Sequence, residues 1–176
     1  KQIGPERITL LKYAHVPDVR KHMKLIKEDD LPPVEDLPLM FTETVEAFLG
    51  AGYEWIGIDN FAKKGDKLAN AVKSKTLGRD FNGWNTGRSR HLLGLGPTTT
   101  SAFGRYYYQS VYSNKEYYEA LDGDMFPILR GFQLTDDDLI RRDVMFSILC
   151  KQEIVFAELD QKHRIDFTVY FADELE

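Results

Sequence analysis

One cysteine in 176 residues leaves no partner for a disulfide within the chain, so no disulfide framework supports the fold. That thiol, Cys150, closes the apolar stretch VMFSILC and reads as a buried, reduced core residue rather than a nucleophile. His15, two residues before Pro17, has no second histidine or cysteine at ligand spacing, so no metal site is assigned. No apolar run approaches the roughly 20 residues that cross a bilayer, and KQIGPERITL has no signal-peptide core; a cytoplasmic chain without a membrane role is expected. Positive charge is scarce as well. With 23 Lys and Arg against 28 Asp and Glu, the net charge is -5, which repels a phosphate backbone, so nucleic acid is not an expected partner. The glycine-rich stretch LLGLGPTTTSAFG, Leu92 to Gly104, lacks the third glycine of a dinucleotide fingerprint and the Gly-Lys-Ser/Thr of a phosphate loop.

What is present is enough for one domain with a real core, since 43% of the residues are hydrophobic. RITLLKYAHV reads as a buried parallel strand, although a helix also fits the run. LMFTETVEAFLGAG is an amphipathic helix stopped by Gly50 and Gly52, and YEWIGIDNFA alternates like a strand. The three together predict a βαβ unit with parallel strands, which belongs to a larger sheet because both its faces and its edges need cover. The first residue is Lys, a strand begins by Arg7, and the last segment, ELDQKHRIDFTVYFADEL, reads as a helix that stops abruptly; both ends suggest a fragment. DKLANAVKSKTLG predicts a helix capped by Gly78. RDFNGWNTGRSR reads as a polar loop whose Arg79, Arg88 and Arg90 either hold carboxylates or are simply solvated. LTDDDLIRRDVMFSILC is a helix opened by an acidic capping box, Thr135 with Asp138, with Arg141 and Arg142 placed to pair with Asp137 and Asp138.

Candidate binding residues follow from the rule that α/β sheets collect function at the carboxyl ends of their strands. The rule selects Ala14 and His15 after the first strand, and Asp59, Asn60 and Phe61 after the second. Asp59 and Asn60 could receive ligand hydroxyls or amines, or supply ordinary turn chemistry. In GLGPTTTS, Gly94 and Gly96 would let a ligand lie against the backbone and meet main-chain amides and the hydroxyls of Thr98 to Ser101; a glycine-kinked edge strand is the alternative. Tyr106, Tyr107, Tyr108 and Tyr112 could stack on a flat ring or pack a half-buried strand. No residue presents itself as a general acid or base.

The segments GYEWIGIDNFAKKGDKLANA, LLGLGPTTTS, the tyrosine and QS of YYYQS with the EYY that follows, and RGFQLTDDDLIRRDVMFSILC together resemble the oxygen-independent coproporphyrinogen III oxidases, radical S-adenosylmethionine enzymes of haem synthesis. The resemblance runs from Pro5 to Leu175. It implies an α/β chain in which residues 1–66 are the last strands and helix of a partial (β/α) barrel. Residues 67–176 would form most of a mainly helical C-terminal domain. It implies oxidative decarboxylation of two propionates of coproporphyrinogen III to vinyl groups, driven by S-adenosylmethionine ligated to a 4Fe-4S cluster, with a second S-adenosylmethionine beside it. Contacts to these molecules are implied at Ala14 and at Thr100, the latter through backbone or packing. Asp59 and Gly96 complete the expected cofactor-binding positions. The implied partners are the porphyrinogen, S-adenosylmethionine and the remainder of the polypeptide on the N-terminal side. A 4Fe-4S cluster needs several thiolates, and one cysteine cannot hold it, so the chain alone is expected to be inactive. The NFAKKGDKLAN portion also suits a haem-binding or haem-delivering relative without oxidase activity, whereas IGID and the NGWNTG loop favour the oxidase. A purely structural module, binding neither tetrapyrrole nor S-adenosylmethionine, is the third reading.

Overall fold

A computed structural model describes residues 3–87 and 91–176, which divide into two compact units, Lys1–Asn70 and Ala71–Glu176. The chain is of mixed α and β class, as expected.

In the first unit, helix α1 (Leu37–Gly50) carries Pro38 in its first turn, where a missing N–H forfeits no helical bond. The chain leaves the helix through Gly52 at φ +86°. Strand β2 (Tyr53–Gly57) follows, but YEWIGIDNFA is not one strand. It folds back at Ile58 (φ +51°) and Asp59 into β3 (Asn60–Lys63). The sheet order is β1-β3-β2, with β1 (Arg7–Thr9) and β2 both antiparallel to β3. The expected parallel pair is therefore corrected: β1 and β2 run in the same direction, yet β3 lies between them and satisfies the ladders of both. Its central place explains the burial of Phe61 and Ala62, which are 1% and 0% exposed. Val45 and Phe48 of α1 pack with Tyr53, Phe61, Ile8 and Leu10, and the Phe48 and Phe61 rings meet edge to face at 5.1 Å. The strand expected over RITLLKYAHV is only three residues long.

Helix α2 (Lys67–Lys73) ends well before Gly78, which is not its cap but the first residue of β4 (Gly78–Asp80). The polar loop expected next is a hairpin of β4 with β5 (Gly83–Asn85), its turn held by the Asn82 amide donating to Asp80 Oδ1. Arg88 and Arg90 lie outside the described residues. A three-stranded antiparallel sheet has the order β6-β7-β8, from β6 (Thr100–Phe103), β7 (Tyr106–Ser110) and β8 (Ile128–Gln133). Helix α3 (Asn114–Asp122), capped by Ser113, connects the last two strands.

The C-terminal part is helical, in α4 (Asp136–Phe146), a π-helical turn at Ser147–Lys151, α5 (Phe156–His163), α6 (Phe167–Tyr170) and α7 (Ala172–Leu175). The capping box forms as expected: Thr135 Oγ1 accepts from the Asp138 amide, and Asp138 Oδ2 accepts from the Thr135 amide. Arg141 pairs with Asp137 and also with Glu174, on α7. The single terminal helix read from the sequence is corrected to three. Arg164 takes a left-handed conformation (φ +56°) and Asp166 caps a new turn, so that Phe167 and Phe171 turn inward onto Ile140 and Leu159. Cys150 is buried, and burial pushes its thiol up, against the positive charge of Arg79 and Lys151.

Asp143 clamps α4 to the end of α5, accepting from Lys162 and facing His163 Nε2 at 2.7 Å. Burial alone would raise its pKa, but the Lys162 hydrogen bond and charge, then His163 and Arg142, outweigh burial and hold the carboxyl below its ordinary 3.8. A carboxylate lowered on folding stabilises fully above its unfolded pKa and loses that contribution as pH falls through the folded value. Acid unfolding followed by circular dichroism is therefore expected to lose part of its steepness below about pH 4 in Asp143→Asn, which also should be less stable than the parent at pH 7.

Candidate functional site

Antiparallel pairing decides which side chains of GLGPTTTS can reach a ligand. Thr100 pairs with Gln109 and Ala102 with Tyr107, so these share one face of the sheet, while Ser101 and Tyr108 lie on the other. On that other face Ser101 and Ser110 are buried, and the Gly-rich segment closes over them. The Gly94 amide donates to Ser101 Oγ at 2.9 Å, Thr99 Oγ1 meets Ser110 Oγ at 3.2 Å, and Leu92 forms a reciprocal bridge with Ala102.

Both glycines have a structural reason. A Cβ on Gly94 would lie 2.6 Å from Thr99 Cβ, so the close approach requires glycine. Gly96 has open space around its would-be Cβ, but its φ of +106° is one that side chains avoid. Its amide donates to the Tyr117 hydroxyl of α3 at 3.0 Å, and its carbonyl accepts from Thr99 Oγ1 at 2.8 Å. The amides of Gly94 and Gly96 are therefore both used within the chain. Thr98, at φ +65°, donates its amide to Val111. Thr100 is half-buried on the open face. That face also carries Tyr107, whose ring meets Phe81 edge to face at 5.2 Å, with Phe81 55% exposed.

In the first unit, Asp59 does not follow the end of a parallel strand but sits in the β2–β3 turn. Its carbonyl accepts from Leu10, its carboxylate takes the Asn60 amide, and Asn60 Oδ1 accepts from Thr9 Oγ1. The turn chemistry weighed for this pair is what the geometry shows. Ala14 is exposed in an irregular segment five residues beyond β1, and His15 Nδ1 lies 3.1 Å from the Tyr13 hydroxyl. Phe61, grouped with Asp59 in the sequence, is core.

Among the described residues, no group of three or more His, Cys, Asp or Glu could hold a metal ion. With one buried cysteine, the residues of this chain do not fit a 4Fe-4S cluster. No helix of the described residues is long and apolar enough to cross a membrane. Sequence reasoning missed Gln109 and Arg130, because only the β6-β7-β8 register places them in one row with Thr100.

No family profile matches the chain. The chain is 38% identical over 178 residues to the oxygen-independent coproporphyrinogen III oxidase of Synechocystis, covering 99% of itself and 38% of that protein. The enzymes of the same name from Escherichia coli and Pseudomonas aeruginosa are 34% and 36% identical, over 99% and 97% of this chain and 38% and 37% of theirs. The solved coproporphyrinogen III oxidase of Escherichia coli, described as a radical SAM enzyme, superposes with a TM-score of 0.91 at 35% identity, covering 98% of this chain and 40% of that one. The resemblance read from the residues is thus borne out in sequence and in fold, and the chain spans about two-fifths of the length of these relatives.

Removing the Ser101 hydroxyl leaves the Gly94 amide without its partner in a buried place. Ser101→Ala is therefore expected to destabilise the protein by about 1–3 kcal/mol, whereas Thr100→Val, on the open face, should change stability by less than about 0.5 kcal/mol, as read by denaturant unfolding.

Proposed function

We infer that this chain, homologous to two-fifths of the oxygen-independent coproporphyrinogen III oxidases, is part of such an enzyme, an oxidoreductase of haem biosynthesis that converts coproporphyrinogen III to protoporphyrinogen IX. The match of nearly the whole chain, in sequence and in backbone, carries this reading. Residues 1–66 are then the end of the partial barrel and residues 67–176 belong to the following domain of a cytoplasmic enzyme.

Bound S-adenosylmethionine supplies the hydrogen-abstracting power of the family's reaction. The residues of this chain that suit it are Thr100 and the neighbouring aromatic rings of Tyr107 and Phe81, either of which offers a purine a stacking partner. Gly96 sets the course of the loop that leads into Thr100; in the first unit, exposed Ala14 is the proposed contact position, and Asp59, already holding the β2–β3 turn, would add a contact only through its remaining carboxylate oxygen. The hydroxyl-rich turn contributes shape rather than proton transfer, since Ser101 accepts from the Gly94 amide, and Thr99 donates to the Gly96 carbonyl and meets Ser110. Cluster ligation falls to cysteines outside this chain, and no step is assigned to it here.

Two measurements test the reading. The isolated chain, treated with iron and sulfide, should show no stoichiometric iron–sulfur absorption; one cluster per chain would contradict it. In the full-length protein, Gly96→Val should lower vinyl product by about tenfold or more, because strain of about 1–2 kcal/mol displaces the loop, while Thr100→Val stays near wild type. Haem binding without decarboxylation by the full-length protein would favour the haem-delivering alternative and overturn the oxidase.

A further inference from the structure

The β6-β7-β8 register sets Thr100, Gln109 and Arg130 side by side across three strands, on the face that also carries Tyr107 and Phe132. Within this row Arg130 donates through Nε (2.9 Å) and Nη2 (2.7 Å) to one atom, Gln109 Oε1. The Gln109 amide is itself fixed: Oε1 also accepts from the Tyr112 hydroxyl at 3.3 Å, and Nε2 donates to the Thr98 carbonyl at 3.3 Å. The partner of Arg130 is therefore neutral, and its charge is left uncompensated.

Two other arginines of this unit are neutralised by acids, whereas Arg130 is braced by an amide. Arg105 pairs with Asp136, and Arg141 with Asp137 and Glu174. Among the described residues, which include every acidic residue of the chain, none forms an ion pair with Arg130. A charge on an edge strand can serve only to discourage strand pairing, but that role needs no brace. Here two bonds hold the guanidinium in one orientation and leave the Nη1 side, with its paired N–H groups, open for a bidentate acceptor.

We propose that Arg130, positioned by Gln109, binds a carboxylate in the site that Thr100 lines. The inference rests on the functional reading above, in which two carboxylates are available: a propionate of the tetrapyrrole and the amino-acid carboxylate of S-adenosylmethionine. Gln109 is a positioning residue, and its neutrality is essential, since an acid there would consume the charge of Arg130.

The test uses the full-length protein and two probes, S-adenosylmethionine in equilibrium dialysis and coproporphyrin III in fluorescence quenching. Arg130→Leu should weaken one of them by about tenfold to a hundredfold, the loss of one charge-assisted pair. The probe that weakens identifies the source of the carboxylate. Gln109→Glu, which strengthens the bond to Arg130 but forfeits the donation to the Thr98 carbonyl, should weaken the same probe comparably, whereas Gln109→Met, which forfeits both bonds and leaves the charge of Arg130 unneutralised, should weaken it less; equal losses in the two would mean that the structural bonds alone matter. Circular dichroism confirms that each variant folds. Unchanged affinity for both probes in Arg130→Leu, or wild-type affinity in Gln109→Glu, overturns the assignment. If the wild-type protein binds neither probe, the oxidase reading falls and takes the inference with it.

Discussion

Ser101 and Ser110 are 1% and 6% exposed on one face of the β6-β7-β8 sheet, and a buried hydroxyl without a partner costs about 1–3 kcal/mol. The chain meets this demand by laying the segment from Leu92 to Thr99 across them, so that Ser101 receives the Gly94 amide and Ser110 meets Thr99. The close approach excludes a side chain at Gly94, and the segment then turns through Gly96 at a positive φ. The Tyr117 hydroxyl then ties the turn to α3. Much of the second unit's β region is organised by satisfying these polar groups.

The same alternation that buries one face opens the other. Because successive side chains of a strand point to opposite sides, burying Ser101 obliges Thr100 and Ala102 to face outward, where Gln109, Tyr107, Arg130 and Phe132 fall into register with them. The open face is apolar at Tyr107 and Phe132 and positive at Arg130. Satisfaction of the closed face and availability of the open face are one constraint seen from two sides.

The C-terminal helices are held by a different balance. Arg141 joins two acids, Asp143 joins two bases, and Phe156, Phe167 and Phe171 stack beneath them, with the Phe156 and Phe167 rings 4.1 Å apart. Exposed pairs of this kind are worth tenths of a kcal/mol, so the aromatic core supplies most of the packing and the half-buried Asp143 clamp most of the electrostatic contribution.

Local chemistry was legible where it depends on neighbours in the chain. The capping box at Thr135, the stop after α1, the burial of Cys150 and the turn role of Asp59 and Asn60 all follow from side chains acting within a few residues of themselves. The family was legible too, because its segments recur nearly without interruption along the chain. What sequence alone misread was partnership between strands. YEWIGIDNFA has one continuous β pattern, and only the left-handed turn at Ile58 and the vacancy beside β1 make it a hairpin with β3 in the middle. The terminal segment has helical periodicity throughout, yet burying Phe167 and Phe171 together on Ile140 required breaks at Arg164 and Asp166. Gln109 and Arg130 stand 21 residues apart, each inside a segment that resembles the family, and nothing local to either segment pairs them. The sequence by itself determined which residues could cap, turn or be buried, whereas register across strands, a relation between distant segments set by hydrogen-bond pairing and burial, decided which of them meet.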